Sequence, residues 1–296
     1  MLKLVLPTGS LEQSTLELFN IANLMVIRNE ERSYKAKIND SRIEEVVLLR
    51  PQEIAQYVDQ GLYDLGITGL DWILESQATN IIEIANLTYS KQTNQPVKIV
   101  LAVAKESGIK APDQINPGAK ISTEYVNLAR EYFAKLNIPV NIEFSFGATE
   151  AKVPKIADAV IELIETGSTL RANSLLIIDE LLESSTKLIA NKQAYKDSTK
   201  REVIEDIKTL LLGVLLARDK VLIKLNVSET NFDRVIALLP ALRAPTISQL
   251  FSANTDNNYW AVETVAEKQT INLLIPKLKQ AGAEDILELP INKIIR

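Results

Sequence analysis

Short apolar runs alternate with amphipathic stretches from residue 2 to about residue 218. That alternation restricts the chain more than any other feature, because strand-then-helix repeats bury a mainly parallel sheet between helices. "LKLVLP" (2–7) reads as a buried strand, followed by the turn "TGS" and the helix "LEQSTLELFNIANL", with Leu11, Leu16, Phe19 and Leu24 on one stripe. "EEVVLLR" (44–50) is the next strand; Pro51 opens a helix that runs through Tyr57 and Val58 and stops at Gly61. "YDLGITG" (63–69) and "LDWILES" (70–76) repeat the unit.

From "VKIVLAVAK" (97–105) the chain enters a second lobe, in which "GAKISTEYVNLAREYFAKLNIPVNIEF" (118–144) is a strand, helix, strand unit. "GATEAKVPKIADAVIEL" (147–163) adds a short helix and a strand. "NSLLIIDELLESSTKLIANKQAY" (173–195) returns the chain to the first lobe as two strands, before a long helix from about Lys196 to Arg218. The expected division is therefore lobe I at 1–95 and 176–218, and lobe II at 96–175. Residues 219–296 change pattern to β-α-β-β-α-β, the ferredoxin-like order. The fold class expected is α/β: a two-lobed, periplasmic-binding-protein-like part with its ligand between the lobes, and a C-terminal ferredoxin-like domain.

The chain contains no Cys and no His. This removes zinc sites, thiol nucleophiles, Ser-His-Asp triads and imidazole acid-base chemistry, leaving carboxylates, Lys, Arg, Tyr, hydroxyls, backbone amides and a hard cation held by oxygen. Acids and bases are interspersed, 38 against 33, so no concentrated basic surface for nucleic acid is expected. No run reaches the roughly 18 apolar residues of a membrane span, and "MLKLVLPTG" lacks a signal-peptide pattern, so the expected location is the cytoplasm.

One motif draws attention. In "IELIETGSTLRAN" (161–173) an acid-bearing strand delivers Thr166-Gly167-Ser168-Thr169 directly into a helix start. Amides at such a start converge on one spot, Gly167 admits an anion to the backbone, and Arg171 adds charge. Strand alternation places Asp158, Val160 and Glu162 on one face, where the two acids would meet ribose hydroxyls or Mg2+. Read locally, the same residues make a turn with an N-cap, and that reading is favoured on local sequence alone. "PTGS" (7–10) and "TGLD" (68–71) are likewise read first as strand-to-helix turns, with Asp71 as a helix cap or a ligand contact. Tyr125 either stacks on a base or covers the edge of the core. There is no GxxxxGK[ST], so a Walker-type site is unsupported.

Four blocks in order, 49–73, 122–133, 147–173 and 239–250, resemble ATP phosphoribosyltransferase in its long form with a C-terminal regulatory domain. The most specific is "GATEAKVPKIADAVIELIETGSTLRAN" (147–173), and the likeness covers nearly the whole chain. The resemblance implies that N1 of ATP displaces pyrophosphate from C1 of phosphoribosyl pyrophosphate in the first step of histidine biosynthesis, with Mg2+ required. It implies that Glu165, Thr166, Gly167, Ser168, Thr169 and Leu170 hold the 5-phosphate, with Asp158, Glu162 and Arg50 catalytic. It places Gly9, Ser10, Arg50, Gly69, Asp71 and Tyr125 near the nucleotide or pyrophosphate, and Asn226, Ala244 and Thr246 at a regulatory site for histidine. Metal ligands stay unassigned, and dimers assembling into hexamers are expected. Thr8 departs from the family's usual Lys or nearby basic residue, Ala244 from a small polar residue and Asn226 from an acid. Thr8 therefore keeps open a catalytically impaired regulatory paralogue, beside the alternative of a two-lobed small-ligand sensor.

Overall fold

The computed structural model describes residues 1–28, 30, 33–87, 89, 96–240, 244–251 and 258–296. The chain divides into two compact units, Met1–Lys208 and Thr209–Arg296.

In the first unit, strands β1 (Leu2–Pro7), β2 (Val26–Arg28), β3 (Lys35–Ile38), β4 (Ile43–Leu49), β5 (Leu65–Gly69) and β6 (Ile81–Leu87) join β12 (Thr186–Asn191) in a seven-stranded sheet of order β2-β3-β4-β1-β5-β12-β6. Its centre, β4-β1-β5, is parallel. Helices α1 (Glu12–Ile21), α2 (Pro51–Asp59) and α3 (Leu70–Glu75) each follow a parallel strand within a few residues, so their N-termini gather at one sheet edge. Arg50 caps α2 and Pro51 occupies its first turn, where a missing N–H costs nothing. Ile54, Ala55 and Val58 then pack under Val5, Ile73 and Ile189.

Strands β7 (Val97–Ala104), β8 (Lys120–Thr123), β9 (Asn141–Phe144), β10 (Ala159–Ile164) and β11 (Leu175–Ser184) form a five-stranded sheet of order β11-β7-β10-β8-β9. Helix α4 (Val126–Leu136) covers one face through Ala129 and Phe133, against Ile99, Leu101 and Ile121. On the other face Leu170, from helix α5 (Ser168–Ala172), packs with Val100, Ala102 and Val160. Helices α6 (Lys192–Lys196) and α7 (Ser198–Ala217) follow β12.

Strands β2, β3 and β6 add to the expected set, and two further details depart from expectation. The return to the first sheet occurs at residues 184–186 instead of 175–176, because β11 pairs with β7 along its length before β12 pairs with β5 and β6. The other expected crossing, at Gln95, lies outside the described residues. Helix α1 buries Thr15, Leu18 and Phe19 instead of a stripe through Leu16. Thr15 is accommodated because its hydroxyl donates to Leu11 O at 2.7 Å and meets the Tyr89 hydroxyl at 2.8 Å.

In the second unit, β13 (Lys220–Ser228), α8 (Phe232–Ile236), β14 (Thr246–Leu250), β15 (Tyr259–Glu267), α9 (Ile271–Gln280) and β16 (Ala283–Pro290) make an antiparallel sheet of order β14-β15-β13-β16. Alternate residues of β13, namely Val221, Ile223, Leu225 and Val227, form its core with Val235 and Leu278. No helix among the described residues is long and apolar enough to cross a membrane.

Candidate active site

The strand ends of the two sheets in the first unit enclose a cleft with three compartments that share Leu163. The widest, about 1740 Å³ including its open mouth, is lined from the first sheet by Thr8, Gly9, Ser10 and Arg50, and from the second by Glu124, Tyr125 and Glu162. A second, about 730 Å³, is mainly apolar, with Leu11, Pro51, Trp72 and Val97 around the hydroxyls of Ser184, Ser185 and Thr186. The third, about 580 Å³, is made by Glu150 and the run from Glu162 to Leu170.

The third compartment holds the whole expected 5-phosphate loop. Gly167 turns the chain at φ +68°, in the left-handed region where other residues are strained, and caps α5. The amides of Ser168, Thr169 and Leu170 thus begin a helix without intrahelical acceptors. Leu170 anchors the turn in the core, while Thr166 Oγ1 donates to Ser168 Oγ at 3.1 Å. A side chain at Gly167 would stand 3.2 Å from Arg171 Nη1, so that guanidinium lies over the loop.

Glu162 and Asp158, expected to act together, are separated. Glu162 faces the cleft, where burial pushes its carboxyl up to about 7; a Thr149 hydrogen bond opposes this, while the facing Glu150 and Glu124 add to it. Asp158 lies at the head of β10, exposed and outside all three linings, with its Oδ2 accepting the Lys120 amide at 2.8 Å. Alternation puts both on one strand face, yet four residues of strand is about 13 Å.

Asp71 and Tyr125 are brought together, but toward each other. The Tyr125 hydroxyl donates to Asp71 Oδ2 at 2.9 Å, and Ser184 Oγ donates to Asp71 Oδ1 at 2.6 Å. Asp71 is 3% and Tyr125 2% exposed, and burial pushes both groups up. Trp72 stacks on the Tyr125 ring at 4.5 Å, so one face of Tyr125 is taken, and Trp72 itself lines two of the compartments. Gly69 makes this possible: a Cβ there would fall 2.0 Å from Asp71 Oδ1. Of the residues that reading the sequence missed, Trp72, Glu124, Glu150 and Ser184 matter most. Only Trp72 and Glu124 carried a local signal, each adjoining a residue singled out.

Arg50 is exposed beside Ser10 in the wide compartment and makes no ion pair among the described residues, whereas Arg28 in the same lining pairs with Glu12. No group of three or more acidic side chains among the described residues is arranged to hold a metal. In the second unit Asn226 lies in β13 and donates to Asp285 Oδ2 at 2.9 Å, while Ala244 and Thr246 are exposed at the β14 edge with β15 between. Residues 241–243 of the matching block lie outside the described residues.

Residues 50–213 match the family described as ATP phosphoribosyltransferase (HisG), and residues 217–293 match the HisG C-terminal domain. The ATP phosphoribosyltransferase of Chlorobium phaeobacteroides is 47% identical over 294 residues, spanning 99% of this chain and 97% of its own. That of Desulforudis audaxviator is 46% identical over 295 residues, spanning 99% of each. A chain of the solved ATP phosphoribosyl transferase (HisG:HisZ) complex from Thermotoga maritima shares the fold, with TM-score 0.61 at 24% identity over 72% of this chain and 99% of that one.

Proposed function

We propose, from the premise that this chain belongs to the ATP phosphoribosyltransferase family in its long form and catalyses the first step of histidine biosynthesis, that the three joined compartments divide its substrates among them. The observation that carries this is their meeting at Leu163, which sets an anion loop, an arginine-bearing mouth and an apolar aromatic wall around one point.

In this reading Glu165 to Leu170 hold the 5-phosphate, because amides at a helix start and hydroxyls suit a dianion. Glu162 accepts from the ribose hydroxyls beside it. Asp158 fixes the start of β10 and takes no part in the chemistry. Arg50, with Gly9 and Ser10, receives pyrophosphate, and its charge neutralises the leaving group as the C1–O bond breaks. The adenine lies in the compartment of Trp72, Leu11 and Pro51, whose apolar lining and aromatic face suit stacking on a nucleobase. N1 attacks C1 with its own lone pair, so positioning and charge complementarity are what the protein supplies, and a chain without His is adequate.

Among the described residues, the carboxylates in the cleft are not gathered as a metal cage. Mg2+ would come bound to the pyrophosphate of the substrate, where it would neutralise charge, the usual habit of an ion that keeps most of its water. We assign the first lobe to the seven-stranded sheet and the second to the five-stranded sheet, and place histidine feedback in residues 219–296 around Asn226, Ala244 and Thr246. A cytoplasmic homo-oligomer completes the proposal.

The test is turnover by purified protein with ATP, phosphoribosyl pyrophosphate and Mg2+, followed by the absorbance of phosphoribosyl-ATP. Thr169→Ala should raise KM for phosphoribosyl pyrophosphate at least about fivefold and KM for ATP less than about twofold, since one hydrogen bond to a charged group is removed from one substrate only. Equal effects on both substrates would move the 5-phosphate elsewhere.

A further inference from the structure

Helix α3 has six residues, yet among the described residues several side-chain ties between the two lobes beside the cleft run through it. Asp71 and Glu75 are four apart and share a helical face. Asp71 takes the Tyr125 hydroxyl at 2.9 Å. Glu75 reaches the start of α4, where both its carboxylate oxygens accept the Asn127 amide at 3.0 Å and Oε2 also accepts the Leu128 amide at 3.0 Å. Asn127 answers by donating its side-chain amide to Glu75 O at 2.9 Å. A carboxylate here satisfies amides that the helix cannot and complements its dipole. Trp72, between the two acids in sequence, stacks on Tyr125.

Because α3 grows from β5 of the seven-stranded sheet and α4 from β8 of the five-stranded sheet, each of these bonds joins one lobe to the other. They border the cleft, since Trp72, Glu124 and Tyr125 line it, but Glu75 lines none of its compartments. We propose that Glu75 is a positioning residue for phosphoribosyl transfer: by capping α4 from the opposite lobe it sets the lobe angle at which the phosphate loop and the aromatic wall face each other. This rests on the cleft being the active site.

A substrate that touches both lobes binds only the fraction of molecules at the right angle, and its apparent dissociation constant rises as that fraction falls. Saturating substrate restores the angle by mass action. Loss of the cap therefore acts on KM and spares kcat. In the full-length protein, Glu75→Ala should raise KM for both substrates about five- to tenfold and leave kcat within about twofold, with Glu75→Gln intermediate because it keeps one acceptor and loses the charge. Small-angle scattering should show a larger radius of gyration for Glu75→Ala, returning to the wild-type value with both substrates and Mg2+. Unchanged KM values, or a fall in kcat at unchanged KM, overturn the proposal, as does scattering identical to wild type. If Glu75→Ala fails to fold, Glu75→Gln and Asn127→Leu decide by the same KM and kcat criteria. Thr169→Ala separates the two layers: a normal KM for phosphoribosyl pyrophosphate there means the cleft is misread, whereas a raised one with normal Glu75 variants removes only the cap.

Discussion

Gly69→Ala should be far more damaging than its chemistry suggests. Gly69 has φ −80° and ψ 151°, angles open to any residue, so alanine carries no backbone penalty. Its Cβ would nevertheless stand 2.0 Å from Asp71 Oδ1, 3.1 Å from Asp71 Cγ and 3.5 Å from Ser184 Oγ. The carboxylate cannot drift aside at no cost, being buried and held by Ser184 at 2.6 Å and Tyr125 at 2.9 Å. Relief requires it to turn off one or both hydroxyls. With a hydrogen bond to a charged group worth about 1.5–3 kcal/mol, the expected loss is about 2–5 kcal/mol. The chain has two tryptophans, so a Trp260→Phe background lets Trp72 fluorescence report urea unfolding of the cleft wall at pH 8. In an Asp71→Ala background the atom that would be struck is gone, and Gly69→Ala should then cost less than about 0.5 kcal/mol. A loss under about 1 kcal/mol in the single variant, or an equal loss in both backgrounds, would refute the reasoning.

Glu162 makes stability depend on pH in the direction opposite to an ion-paired acid. Its folded value is about 7 against an ordinary 4.5, so the folded chain keeps the proton longer; the stabilisation is full below about 4.5 and is lost as pH rises through about 7. Glu162→Gln should remove about 3 kcal/mol of that pH dependence, read from urea midpoints between pH 4.5 and 7.5; parallel curves for the two proteins would show that Glu162 is ordinary. Gly167→Ala should lose about 1–2 kcal/mol through its left-handed backbone and raise KM for phosphoribosyl pyrophosphate, whereas an unaffected KM would show the loop geometry to be dispensable. Removal of residues 219–296 should abolish histidine inhibition, and inhibition persisting in a folded truncate would place the effector elsewhere. That truncate also loses the tail that donates Ile294 N to Gly213 O at 3.0 Å and lays Ile295 against Gly213, so circular dichroism should first establish that α7 persists.

What could be read from the chain was whatever local pattern encodes. The buried runs of β1, β5 and β7, the one-faced alternation of β13, the helix opened by Pro51 and the turn at Gly167 each depend on residues within a few positions. The 147–173 block gathers the turn at Gly167 and its flanking residues in sequence order, which is why the run from Glu165 to Leu170 was expected to stand together, although Glu150 in the same lining was missed. The ties that shape the rest of the cleft span long separations. Asp71 meets Ser184 across 113 positions, Tyr125 across 54, and Glu75 meets Asn127 across 52. No periodicity records such pairings. The place of Asp158 was illegible for the same reason: alternation gives its face, but the amide that donates to its carboxylate belongs to Lys120, 38 residues away.

By itself, then, the sequence determined the alternation of strands and helices around the parallel centre of the first sheet, the ferredoxin-like succession at the C-terminus, the turn at Gly167 and the exclusion of thiol and imidazole chemistry, because propensity, periodicity and composition act over one turn or one strand. Only the tertiary structure decided that β11 belongs to the second sheet, that Tyr125 gives its ring to Trp72 and its hydroxyl to Asp71, and that Glu162 without Asp158 faces the cleft. Those outcomes depend on which distant groups compete for a buried hydroxyl, amide or ring face, and that competition is settled only when the sheets have assembled.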